Sequence, residues 1–164
     1  LKQSLNNKKK FELPRIISHL GFGLLVLSIG INHQYSLEVD FNLKVGENKK
    51  INNYEIYFEN IKTEKNKNYQ SVIGNFKLTD LKNNLVQHLD PEIRIYSDPK
   101  TLTYEAAIKT KINSDFYLTM SNVDRSEYYN IKFQKKPFMI WIWISAFIIA
   151  LGGFVQLILK KNEN

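Results

Sequence analysis

The chain has 164 residues, of which 43% are hydrophobic, and it carries a formal net charge of +7 and no cysteine. This length leaves room for one modest domain plus membrane segments, and the lack of cysteine excludes a disulfide framework, a thiolate metal site and a cysteine nucleophile. The basic residues flank two apolar runs or scatter through a polar middle, which indicates membrane topology and solvated surface rather than nucleic-acid binding.

The first twelve residues, LKQSLNNKKKFE, are polar and basic, and we interpret residues 1–12 as a short cytoplasmic loop. The chain begins with Leu1, and the apolar run that follows has no small-residue cleavage site after it. A signal peptide is therefore not expected. A piece of a longer protein, arising by truncation, a split gene or processing, is the simplest account.

The first apolar run, within Leu13–Ile31, predicts a transmembrane helix over residues 13–32, since a span needs roughly 20 mostly apolar residues. After Arg15, His19 is the only titratable side chain in this run. A charge at such depth costs about 2.5 kcal/mol or more, so such a residue is usually neutral, turned inward and functional. Neutral imidazole is a good axial ligand for haem iron.

At 3.6 residues per turn, His19, Gly23, Val26 and Gly30 fall on nearly one helix face. The two glycines leave a shallow groove beside the imidazole, wide enough for a flat ring or a neighbouring helix. Ordinary small-residue packing between membrane helices is the alternative interpretation.

From Tyr35 to Val45 apolar and polar side chains alternate strictly, which predicts a strand with one buried and one solvated face. A turn at Gly46–Asn48 follows. The segment Thr103–Lys111 is compatible with a strand or with one helical turn. Further strand-like segments, separated by polar turn clusters, are Tyr54–Ile61, Ser71–Thr79, Leu85–Leu89, Glu92–Tyr96, Asp115–Met120 and Tyr128–Phe133. Residues 33–136 are thus predicted to form a small antiparallel all-β domain, a sandwich or partly open barrel.

The second apolar run predicts a transmembrane helix over residues 137–159, with Trp141 and Trp143 near one membrane surface and a tail over residues 160–164. Lys8–Lys10 and Arg15 flank one helix, and Lys160 and Lys161 flank the other. The positive-inside bias places these ends in the cytoplasm and the β domain outside it. The predicted fold class is a membrane protein with two transmembrane α-helices flanking an extracytoplasmic all-β domain.

Two other histidines and one carboxylate pair are weaker candidates. His33 lies just beyond the first helix, where it is an interfacial polar group or a contact for haem at the membrane surface, and His88 is expected on the sheet surface. Glu105 and Asp115 have no recognisable nucleophile, base or orienting partner in the sequence, so no hydrolytic site is inferred and catalytic residues stay unknown.

Six motifs occur in a characteristic order: a histidine-glycine helix, a Leu-Lys-x-Gly-Glu turn, Glu-Ala-Ala-Ile, Asp-Phe-Tyr, Lys-Pro-Phe-x-x-Trp-Ile-Trp and Gly-Gly. They occupy Ile17–Gly21, Leu43–Glu47, Glu105–Ile108, Asp115–Tyr117, Lys136–Trp143 and Gly152–Gly153. From about Leu13 onward the chain resembles the C-terminal part of the CcmF family of cytochrome c-type biogenesis proteins.

This resemblance implies a subunit of a haem lyase, which joins haem to the thiols of apocytochrome c outside the inner membrane of a bacterium or mitochondrion. His19 matches an axial ligand of the family's haem b, whose second ligand lies outside this chain. The implied partners are the remainder of the CcmF-like protein, the haem chaperone CcmE, a CcmH-type subunit, apocytochrome c and the lipid bilayer. The family's main haem-handling motif is not in these residues.

The chain departs from the family pattern at two positions of the second helix. Ile140 stands where the family commonly has arginine, and Ser145 stands where a glycine is usual, a change that packing should tolerate because serine is also small. Two alternatives to the haem-lyase interpretation remain. One is a membrane-anchored module that docks partners without haem, and the other is a transporter segment in which His19 relays protons.

Overall fold

The structure, a computed structural model, describes residues 2–123 and 127–161 and the side chains of residues 12–123 and 127–160. The helices are α1 (Lys2–Tyr35) and α2 (Met139–Lys161). The strands are β1 (Leu37–Leu43), β2 (Asn48–Ile51), β3 (Tyr54–Lys65), β4 (Tyr69–Asp80), β5 (Leu85–Leu89), β6 (Glu92–Ser97), β7 (Lys100–Glu105), β8 (Ala107–Thr110), β9 (Ser114–Asn122) and β10 (Tyr129–Pro137). Beyond Lys161, the predicted C-terminal tail lies outside the described residues.

The chain divides into two compact units, each built from separate stretches of sequence. The helix unit comprises residues 1–36, 110–115 and 136–164, and the sandwich unit comprises residues 37–109 and 116–135. The predicted fold class, two apolar helices flanking an antiparallel all-β domain, is confirmed, and the domain is a sandwich.

The sandwich has a four-stranded sheet, ordered β1-β10-β9-β8, and a six-stranded sheet, ordered β2-β3-β4-β6-β7 with β5 also paired to β4. Its wholly buried side chains include Phe58 and Phe76, whose rings stack with centroids 4.1 Å apart, and Phe133. The predicted alternation holds within β1, where Leu43 is buried in this core and the polar side chains between the apolar ones are exposed. It was wrong at both ends, because Tyr35 belongs to α1 and Val45 follows the strand, and both are exposed.

A turn follows β1 as predicted, but it lies at Val45–Gly46, and Asn48, expected in the turn, already belongs to β2. Gly46 has a φ of +87°, a backbone conformation that glycine adopts without the steric penalty of a Cβ atom. The backbone N–H of Glu47 donates to the Lys44 carbonyl over 3.1 Å, and its carboxylate accepts the Lys44 N–H over 3.2 Å. This local bonding ends β1 and starts the short strand β2.

The helix α1 begins at Lys2, whereas a loop was expected over residues 1–12. That expectation depended on polarity alone, and polarity does not exclude a helix. Lysine, glutamine, leucine and glutamate all have high helix propensity. The part of α1 that is long and apolar enough to cross a membrane is Glu12–Tyr35, and the corresponding part of α2 is Met139–Lys160.

Candidate functional site

Within the helix unit, α1 and α2 run in opposite directions and meet along small residues. Pro14, Gly21 and Ser28, spaced seven apart, are buried on α1, and Ser145 and Gly152, also seven apart, are buried on α2. Seven residues return a helix to nearly the same face, so each set forms one stripe. Small side chains allow the two backbones to approach closely.

The closest approach is at Gly152. A Cβ atom there would lie 2.8 Å from the Pro14 carbonyl oxygen and 2.9 Å from the Ser18 backbone nitrogen. The Ser18 hydroxyl donates to the Ile149 carbonyl over 3.4 Å. These contacts fix the register in which the start of α1 faces the end of α2.

Ser145, which stands where the resemblance predicts a glycine, fits this packing. Its side chain is wholly buried, and its hydroxyl donates over 2.5 Å to the carbonyl of Trp141, one turn earlier in the same helix. The bond satisfies the hydroxyl without a partner on α1, as is common for serine in a membrane helix. The serine hydroxyl is therefore not left unpaired at this point of the helix contact.

His19 and the two glycines of its face lie away from this contact. His19, Gly23, Val26 and Gly30 are all exposed. A Cβ atom built on Gly23 or on Gly30 would meet none of the described residues within 4 Å. The groove expected from helical spacing is thus present and open in the part of the chain that the structure describes.

The orientation of the His19 ring follows from one hydrogen bond. Its Nδ1 lies 2.7 Å from the Arg15 carbonyl oxygen, one turn earlier in α1. Because a carbonyl oxygen only accepts, the neutral ring carries its proton on Nδ1 and its lone pair on Nε2. Such a backbone bond to one ring nitrogen is how proteins orient histidines that bind metals through the other.

His19 also borders a cleft of about 390 Å³ between α1 and α2, which we name the helix cleft. Its lining residues are Pro14, Arg15, Ser18, His19, Gly152, Gly153 and Gln156. A second cavity of about 380 Å³ lies beside it on α1 and shares Arg15 and His19 with it. The imidazole of His19 therefore lines both cavities.

The helix cleft also contains the side chains of Arg15 and Gln156, which the sequence did not indicate as site residues. Arg15 was considered only for topology, and Gln156 was not considered. The signal for Gln156 is visible, because Ser145 and Gln156 are the only residues of Phe138–Leu159 with a hydroxyl or amide side chain. Neither the Arg15 guanidinium nor the Gln156 amide makes a hydrogen bond or ion pair with the described residues.

The other candidate residues lie elsewhere. His33 was expected just beyond the first helix, at the start of the β domain, but it is exposed in the last turn of α1, which continues to Tyr35. His88 is exposed on β5, with its Nδ1 3.6 Å from a carboxylate oxygen of Glu59. Glu105 accepts a hydrogen bond from the Thr103 hydroxyl over 3.2 Å. None of these contacts brings a nucleophile and a base together.

The sandwich surface carries its own ion pairs. Arg94 donates from Nε to Glu92 over 2.8 Å and lies over the ring of Tyr69, 5.1 Å from its centroid. The hydrogen bond to Glu92 is the main cause that raises the pKa of Arg94. Lys132 on β10 pairs with Glu38 on β1, and this bond raises the pKa of Lys132. The Lys132–Glu38 pair joins two neighbouring strands, whereas Arg94 and Glu92 both lie on β6. Neither pair suggests chemistry.

Fold and site together define a class of protein: a pair of apolar helices that flanks an antiparallel sandwich in the sequence and leaves a histidine nitrogen free on an open helix face. The family model described as the CcmF C-terminal beta-sandwich matches residues 34–137, more than half of the chain. The chain belongs to the CcmF family.

Individual relatives agree with this assignment. The chain is 30% identical over 142 residues to the cytochrome c-type biogenesis protein CcmF of Haemophilus influenzae, covering 85% of this chain and 22% of that protein. It is 29% identical over 143 residues to CcmF of Escherichia coli, covering 87% of this chain and 22% of that protein. The chain thus spans about a fifth of the length of these relatives.

A solved structure described as cytochrome c heme lyase CcmF has the same fold. It matches with a TM-score of 0.70 and 16% identity, covering 92% of this chain and 25% of that one. The match includes more than the sandwich, because the sandwich model alone covers residues 34–137. The fold of the chain thus agrees with its family membership.

Proposed function

We propose that this chain is the C-terminal portion of a haem lyase subunit for c-type cytochrome maturation, and that Nε2 of His19 is one axial ligand of a haem b held between membrane helices. The supporting observation is the hydrogen bond from Nδ1 to the Arg15 carbonyl, which leaves the Nε2 lone pair on the open face of α1. The second ligand belongs to the remainder of the CcmF-like protein.

The residues present fit a porphyrin better than a bare metal ion. A bare ion needs three or four protein ligands, whereas a porphyrin supplies four nitrogens and needs only axial ones. Among the described residues, no group of three or more His, Asp or Glu could hold a metal ion. The open space above Gly23, one turn from His19, leaves room for a flat ring.

Membrane placement and partners are part of the same proposal. The basic residues at the start of α1 and the end of α2 favour a cytoplasmic location for both helix ends, in a bacterial or mitochondrial inner membrane, with the sandwich outside. There the sandwich would dock CcmE, a CcmH-type subunit or apocytochrome c. When bound, the haem b would act as a one-electron carrier. This suits the attachment of a second haem to apocytochrome c, which requires reduced iron and reduced thiols.

The test compares two histidines at opposite ends of one helix in the full-length protein. His19→Ala should abolish the Soret absorbance of the purified protein, because an axial ligand is lost. His33→Ala, which removes an exposed imidazole near the end of α1, should keep it. Near-ultraviolet circular dichroism of the sandwich aromatics shows whether each variant is folded. Full haem content in folded His19→Ala would refute the ligand assignment and favour a docking module without haem.

A further inference from the structure

The helix cleft brings together three polar groups that have no partner within the described chain. They are the Arg15 guanidinium, the Gln156 amide and Nε2 of His19, and all three residues line the same cavity of about 390 Å³. Arg15 and His19 come from α1 and Gln156 from α2, so the cluster exists only because the two helices pack in this register.

Their positions make this lack of partners informative. Both helices are long and apolar enough to cross a membrane, and the three residues lie within those stretches. Polar groups are costly in hydrocarbon, and ionisable residues there are usually paired. Arg15 and Gln156 lie within about one turn of the ends of the two stretches, where a charged group of a ligand could reach them from the membrane surface. Arginine offers five N–H donors in a planar fork that suits a carboxylate, and the Gln156 amide adds two more. The cleft is therefore rich in donors and suited to an anion.

We propose that Arg15 and Gln156 bind a carboxylate of the same haem whose iron His19 would ligate, that is, a propionate side chain. This inference rests on the proposed function. Arg15 precedes His19 by four residues, a rise of about 6 Å along the helix toward its basic end. Both cavities beside His19 are also lined by Arg15.

The positions of Arg15, Gln156 and Gly23 also predict how the porphyrin ring of the haem would be oriented. Gln156 lies one turn before Lys160, so the donors of the helix cleft stand at the basic ends of α1 and α2. Gly23 lies on the opposite side of His19, where the helix surface is apolar and open. The charged edge of the ring would therefore face the membrane surface and its apolar edge the interior.

The test removes the negative charge of the haem propionates and the positive charge of Arg15 in separate experiments. Full-length protein stripped of haem is reconstituted with haem or with haem dimethyl ester, which lacks the carboxylate charges. Wild-type protein should bind haem about tenfold more tightly than the ester, since a charge-assisted bidentate contact is lost with the ester. Arg15→Gln should lose most of this preference, and Arg15→Lys should retain part of it.

Lys160→Gln is the matched control, because it removes one positive charge at the same end of the helix pair from a residue outside the helix cleft. This variant should keep the wild-type preference. The haem midpoint potential gives a second measurement. A nearby cation favours the reduced iron, so the potential should fall in Arg15→Gln and stay unchanged in Lys160→Gln.

The outcomes separate this inference from the proposed function. If wild-type protein binds neither haem nor ester, the proposed function fails. If it binds both equally and His19→Ala abolishes both, only the propionate contact is refuted. Should Arg15→Gln instead lower the copurified phospholipid while leaving the preference for haem intact, the anion is a lipid headgroup and the propionate contact is likewise refuted.

Discussion

The sandwich unit and the helix unit differ in how far their apolar side chains are buried and their charged groups are paired. In the sandwich, both sheets contribute wholly buried large apolar side chains, such as Phe58 and Phe133, and surface charges pair, as Lys132 does with Glu38. In the helix unit, only 17% and 11% of the two candidate membrane spans is buried, large apolar side chains such as Phe22 and Phe147 are exposed, and Arg15 has no partner among the described residues.

This difference indicates which unit depends on surroundings outside this chain. A sandwich with a complete core gains its stability from its own burial. A helix pair with an apolar exterior requires lipid or further helices around it. The chain spans about 22% of the length of the CcmF relatives from Haemophilus influenzae and Escherichia coli.

The largest expected effect tests the completeness of the sandwich core. Phe58→Ala should lower the free energy of unfolding by about 3–5 kcal/mol, because it opens a cavity beside a ring that is wholly buried and stacked on Phe76. Denaturant titration of the chain in detergent, followed by near-ultraviolet circular dichroism, measures this loss. Leu85→Ala, at a side chain that is 51% exposed, should cost less than about 1 kcal/mol. Equal losses would contradict the burial pattern.

An adjacent pair of glycines tests the helix contact with effects of opposite sign. Gly152→Ala should destabilise the helix pair by about 1–3 kcal/mol, since the added Cβ would lie 2.8 Å from the Pro14 carbonyl oxygen. Gly153→Ala meets none of the described residues within 4 Å and should stabilise the helix by up to about 1 kcal/mol. Denaturation of the chain in detergent, followed by far-ultraviolet circular dichroism, measures both. If both variants changed the stability of the helix pair in the same direction, the helices would have to pack in another register.

The smallest effect concerns the paired surface charges of the sandwich. The bond to Glu38 raises the pKa of Lys132 above its unfolded value, so its contribution to stability is present below about pH 10.4 and is lost as the pH rises through the folded pKa. Lys132→Gln should therefore weaken the loss of stability at alkaline pH. Lys109→Gln, at an exposed lysine, should leave the alkaline loss as in wild type. Denaturation midpoints at neutral and alkaline pH report both, and identical profiles would exclude the effect.

Much of the fold could be predicted from local patterns. The strand β1 follows from strict alternation, β5 has the predicted bounds, and both apolar helices follow from length and composition. The strand β2 was missed because Asn-Lys-Lys-Ile has no alternation, and pairing with β3 is what makes it a strand. The segment 103–111, whose Glu-Ala-Ala is compatible with a helical turn, forms parts of β7 and β8, because pairing of β7 with β6 outweighs helix propensity.

Only part of the candidate site, His19 and the glycines on its helix face, could be predicted from the sequence. His19 and the open face of Gly23 and Gly30 follow from helical periodicity on one helix. The helix cleft does not, because it joins Arg15 to Gln156, residues 141 positions apart, and only the register set by Gly152 brings them together. Local patterns carry no information on such a register.

The most direct test of the central claim asks whether Nε2 of His19 occupies a coordination site on the haem iron. In full-length protein carrying His19→Gly, added imidazole should fill the vacated position and restore the low-spin absorbance spectrum of the wild type, whereas His33→Gly should need no imidazole. If His19→Gly retains the wild-type spectrum without imidazole, His19 is not an axial ligand and the account is wrong.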